Sequence, residues 1–100
     1  MFNYHELFAP ARPDQSLGMF ASDPAARTFN AVLWNRRLGE WSYAPAAVSD
    51  YMFGDDHTDD NRSISRAEAE TVAAKLGIPL LTDDELNAIC ERGRAAYKPG

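Results

Sequence analysis

Four aspartates crowd the stretch after Gly54, Asp55, Asp56, Asp59 and Asp60, with His57 among them. Together with Glu68 and Glu70 they set six carboxylates against Arg62 and Arg66, which places −4 of the chain's formal −5 within sixteen residues. Three kinds of chemistry suit such a cluster. Oxygen-rich loops bind hard cations such as calcium. A histidine held by a carboxylate can act as a base or as a transition-metal ligand. Outward-facing carboxylates steer and hold a basic partner. The first two need side chains that converge, whereas the third needs only exposure. No apolar residue stands between Gly54 and Ser63, so the stretch reads as a solvated connector. The expectation is therefore a partner-binding surface that uses Asp55, Asp56, Asp59 and Asp60, with the surrounding negative charge favouring the imidazolium form of His57.

The order Asp59, Asn61, Ser63, Ile64 and Glu68 resembles the last positions of an EF-hand loop, with Ile64 at the β-contact and Glu68 at the bidentate position. The following KLG and LTDDEL resemble the spacing between paired EF-hand helices. The resemblance implies a degenerate helix-loop-helix cation binder with His57, Asp59, Asn61 and Glu68 as ligands. Two departures fall where the motif is strictest: His57 takes the first ligand position, and Arg62 replaces the glycine of the sharp turn. Ser65 and Glu68 also form a capping box, which accounts for both residues without a metal.

Other reactive residues have plainer readings. His5-Glu6 does not extend to a zinc-protease motif, because Ala9 stands where a second histidine is required. Cys90 is the sole cysteine, so neither an intrachain disulfide nor a multi-cysteine zinc site can form, and its place beside Ile89 on an apolar helix face predicts a buried thiol. Glycine-rich phosphate loops and serine elbows are absent from the sequence. An enzyme or enzyme accessory using His57 and neighbouring carboxylates is an alternative; the leading expectation is a protein without catalytic activity and without a cofactor. Eleven aromatic residues offer apolar anchors, and Trp34, Trp41 and Tyr43 are the candidates for partner contact, with at least one tryptophan expected in the core.

The elements that position these residues are clearest at the C-terminal end. Ser65 with Glu68, and Thr82 with Glu85, are two helix-start boxes. The first predicts a helix over 66–76, stopped by Gly77 and Pro79, with Ala69, Val72, Ala73 and Leu76 as its apolar stripe. The second predicts a helix from about Asp83, with Leu86, Ile89, Cys90, Gly93 and Tyr97 inward and Asn87, Glu91, Arg92 and Arg94 facing water. Pro45 and Gly54 bracket a third helix whose inner face is Val48, Tyr51 and Met52. Residues 28–44 read as a β-hairpin turning at Gly39, with Trp34 and Trp41 paired across it. Phe2, Tyr4, Leu7 and Phe8 fit one helical face, so residues 1–27 read as an ill-defined arm that begins with a short helix or turn, while Gln15 to Asp23, with Leu17, Met19 and Phe20 beside Gly18, reads as a strand or a loop tucked against the core.

The predicted fold class is α+β: one domain over 1–100, with an N-terminal arm (1–27), a β-hairpin or short antiparallel sheet (28–44), and two or three helices packed on it (45–97). The net charge disfavours nucleic acid as a partner, since phosphate binding needs a basic face. No apolar run approaches the length of a membrane span or a signal peptide. Eight arginines against two lysines, with sixteen alanines, suggest a GC-rich bacterial genome. These features point to a small acidic cytoplasmic interaction protein, an inhibitor, immunity-type or regulatory partner, that meets a protein with a basic surface.

Overall fold

The computed structural model describes residues 2–9, 11–23, 29–54 and 60–96. The order of elements is β1 (Asn3–Ala9), β2 (Arg12–Asp23), β3 (Asn30–Asn35), β4 (Glu40–Tyr43), α1 (Pro45–Phe53), β5 (Asn61–Ile64), α2 (Arg66–Leu76) and α3 (Asp83–Ala96). The strands form one antiparallel sheet in the order β4-β3-β2-β1-β5, and with the helices they make the α+β domain expected from the sequence.

Strand register sorts the side chains into two faces. On one face, Ile64, Tyr4, Ala21, Val32 and Tyr43 line up across all five strands. This row packs under α2 and α3 through Ala69, Val72, Ala73, Leu86 and Cys90. On the other face, the row Ser63, His5, Phe20, Leu33 and Ser42 meets α1 through Val48, Tyr51 and Met52. The sheet is thus a middle layer with helices on both sides. Burial on both faces removes the polar-apolar alternation that marks a one-sided strand.

The helices form where their caps are written. Ser65 and Glu68 make a complete capping box, and Gly77 closes α2 in the left-handed conformation at φ 71°. Thr82 and Glu85 repeat the box at the start of α3, where the Glu85 amide donates to Thr82 Oγ1 at 3.2 Å and Oε1 of Glu85 accepts from the Thr82 amide at 3.0 Å. Pro45 opens α1, which ends at Gly54. The β3–β4 turn closes with Gly39 at φ 66° and its amide donating to Asn35 O at 2.8 Å.

Three expectations are corrected. The N-terminal arm is ordered: β1 stands where a short helix or turn is expected, β2 takes the strand alternative for Gln15 to Asp23, and both are interior strands of the sheet. Phe2, Tyr4 and Glu6 share the buried face of β1 at two-residue spacing, and the charged member hides that period. Asn61–Ile64, read as part of the solvated connector and of the helical portion, is the edge strand β5 on β1. Asn87 and Arg94 do not simply face water: Asn30 Nδ2 donates to Asn87 Oδ1 at 3.2 Å, and Arg94 Nη1 donates to Asn30 Oδ1. Those bonds tie α3 to the start of β3, satisfying an asparagine side chain that the sheet buries.

Candidate functional site

The tryptophans separate on folding. Trp41 is only 6% exposed, and its indole N–H donates to Pro79 O at 2.8 Å, so it anchors the α2–α3 connection to the sheet. That burial removes it from the candidate partner anchors. Trp34 lies opposite it in the hairpin register, half-buried, with the rings edge to face and centroids 5.8 Å apart. Tyr43 is also half-buried, its ring laid against the backbone of α3 at Gly93.

Trp34 borders an open notch in the sheet. The β2–β3 register runs from Asp23↔Asn30 to Phe20↔Leu33 and goes no further, while β2 itself begins at Arg12. Within residues 12–19, Arg12, Ser16, Gly18 and Met19 are registered with β1 and none with β3. The notch opens where β3 turns away and β2 continues. A cavity of about 530 Å³ lies in it on the α1 face, lined by Leu7, Gly18, Leu33 and Tyr51 among others. A second, of about 290 Å³, lies against Gln15, Leu76 and Ile78. Leu17, Trp34 and Arg36 line both, so the two are sides of one notch. Leu17 is 38% exposed there, an apolar side chain left in water.

A second polar cluster surrounds Glu6, which is 3% exposed. Arg62 Nε donates to Glu6 Oε1 at 2.6 Å, and Ser16 Oγ donates to Oε2. A buried carboxylate is tolerated only when paired and hydrogen-bonded, and here the pairing clamps β5, β1 and β2 together. The adjoining cavity of about 210 Å³ also meets Asp14, Glu68, Thr71 and Lys75. Glu68 is held by the α2 cap, and hydrogen bonds from Ser65 keep its carboxyl below the usual carboxylate range.

Beside it, Arg66 Nη1 donates to Tyr4 Oη at 2.7 Å with the guanidinium over the ring, while burial pushes the Tyr4 hydroxyl up. On the opposite face His5 stacks on Phe20 at 4.6 Å, and Phe20 stacks on Tyr51 at 5.6 Å. The buried His5 Nδ1 has no hydrogen-bond partner among the described residues, and desolvation holds the imidazole below its usual pKa. Burial likewise pushes the Cys90 thiol up.

The described part of the calcium-loop pattern does not wrap around an ion. Asn61 and Ser63 lie in β5, on the sheet face that carries Leu7 and His5, whereas Glu68 is committed to the cap of α2. Asn61 Nδ2 donates to Tyr51 O at 3.0 Å and to Asp60 Oδ1 at 3.1 Å. Among the described residues no group of three or more His, Cys, Asp or Glu side chains is placed to hold a metal ion. His57, Asp55, Asp56 and Asp59 lie outside the described residues; Asp60 lies within them, at the rim of the larger cavity.

Sequence reasoning picked out Trp34 but missed the strand edge beside it. The visible signal was Leu17 next to Gly18, an apolar pair in a polar setting. No helix of the described residues is long and apolar enough to cross a membrane. Neither a protein-family model, nor a curated protein, nor a solved structure matches the chain.

Proposed function

We propose that the chain is a small protein-interaction module of the bacterial cytoplasm, an inhibitor, immunity-type or regulatory partner, without catalytic activity of its own. The observation that carries this reading is the notch: two cavities meeting at half-buried Trp34 and exposed Leu17. Interface energy concentrates where an aromatic side chain stands in a concave apolar setting that a partner can dry. The net charge of −5 supports a partner with a basic surface, drawn by Asp55, Asp56, Asp59 and Asp60, and disfavours nucleic acid. The lone, buried Cys90 accords with a reducing compartment.

The test is affinity capture from the native cell with the wild-type chain and with Leu17→Arg, at low and at high salt. Leu17 is exposed enough that the substitution leaves the core untouched. The reading expects one stoichiometric protein that the wild type retains at low salt, releases in part at high salt, and that Leu17→Arg loses. Recovery of no partner at low salt, or equal recovery by the variant, refutes it.

A further inference from the structure

The notch has the properties of a strand acceptor. Within residues 12–19, Arg12, Ser16, Gly18 and Met19 have register partners on β1, and among the described residues no strand pairs with the opposite edge, so the backbone edge of Ser16–Met19 borders the notch. Its natural complement is another extended backbone. An added strand would continue the line of β3, and its side chains would alternate between the two faces of the sheet. Those faces are where the cavities of about 530 and 290 Å³ lie, one against Leu7, Leu33 and Tyr51, the other against Leu76 and Ile78.

The notch carries charge of both signs, Asp60 at the rim of the larger cavity and Arg36 where the two cavities meet. Arg36 is exposed, lines both cavities and has no partner among the described residues. We infer that residues 15–19 of β2 accept an extended segment of a partner protein, apolar toward both cavities and ending in an acidic residue opposite Arg36, as an added strand. This inference rests on the interaction reading above and names the segment that the notch takes.

Five residues of β2 span about 16 Å, enough to hold four or five residues of a guest strand. A second copy of this chain is a poorer occupant. A two-fold pairing centred on residues 15–19 would bring Arg36, which lies beside Leu17, toward its own counterpart. Pro13 supplies no N–H, which stops a longer self-pairing ladder from running along the whole of β2.

The probe is the blocked hexapeptide acetyl-Glu-Val-Leu-Val-Leu-Glu-amide, compared with the same peptide N-methylated at alternate amides and with one whose glutamates are replaced by lysines. Amide chemical shifts and hydrogen exchange of the full chain are followed during titration. The inference expects saturable shifts at residues 15–19 and 33–36, new protection of amides in 15–19, and binding weakened about tenfold or more by N-methylation. Arg36→Glu should invert the preference from the glutamate to the lysine peptide.

Several results overturn it: no shift at residues 15–19 up to the solubility limit, equal binding by the N-methylated peptide, or protection of 15–19 that rises with protein concentration alone and so marks a second copy. If these occur while Leu17-dependent capture of a partner persists, strand addition falls and the interaction reading stands. If capture fails as well, both fall.

Discussion

Replacing Gly93 by alanine sets two effects of opposite sign against each other, and the structure says which wins. Gly93 lies inside α3, where alanine is favoured over glycine by about 1 kcal/mol through helix propensity. A Cβ at this position would overlap Tyr43 Cδ2 and stand 2.5 Å from its Cβ and Cγ. Ordinary contact begins at 3.4 Å, so α3 and β4 would have to part by about 1 Å. Rotating the Tyr43 ring cannot relieve this, because its own Cβ moves only with the strand backbone.

Overpacking of this kind costs about 3 kcal/mol at the upper end of its usual range, leaving a net loss of about 2 kcal/mol. For a domain of this size that is a fall in Tm on the order of 10 °C. Urea unfolding followed by circular dichroism and by tryptophan fluorescence measures it, with an unchanged slope indicating that only stability has moved. In a Tyr43→Gly background the obstacle is gone, and Gly93→Ala should then stabilise by about 1 kcal/mol. A single Gly93→Ala variant as stable as the wild type would refute the close packing of α3 on β4. A variant equally destabilising in both backgrounds would show that Tyr43 is not its cause.

Two further outcomes follow from buried titrating groups. The unfolded chain takes up a proton at His5 near the ordinary histidine value of 6.5, while desolvation holds the folded imidazole lower. The unfolded state thus binds more protons between the two values, so stability rises with pH through that window, is complete above about 6.5, and is lost as pH falls toward the folded pKa. His5→Phe, which can keep the stack on Phe20, should flatten the stability curve between pH 7 and 5; an unchanged slope would assign it elsewhere. Cys90 is buried, with its thiol pushed up by desolvation, so a disulfide reagent should modify the native chain on the order of a thousandfold more slowly than the urea-unfolded chain. Comparable rates would place the thiol at the surface.

The capping boxes, Gly77 and the apolar stripes were legible because a helix is specified by neighbours: its caps lie three residues apart and its face repeats within eight. The β3–β4 hairpin was legible for the same reason, its turn and its paired tryptophans lying close in the chain. The N-terminal strands were not. Glu6 occupies a core position only because Arg62 and Ser16 reach it from β5 and β2, and no local pattern announces a partner fifty-six residues away. β5 looks like loop because four polar-rich residues become a strand only when β1 supplies the opposing hydrogen bonds.

By itself, then, the sequence determined the positions of α1, α2, α3 and the β3–β4 turn, the class of the fold, the burial of Cys90 and the concentration of negative charge after Gly54. Only the tertiary structure decided that β1 and β2 lie inside the sheet, that Trp41 belongs to the core while Trp34 borders a notch, and that β2 outruns β3 to leave an unpaired edge. The division follows from range. Caps and turns are satisfied by atoms a few residues away, whereas a strand's partners, and the place where it lacks one, exist only once distant segments have met.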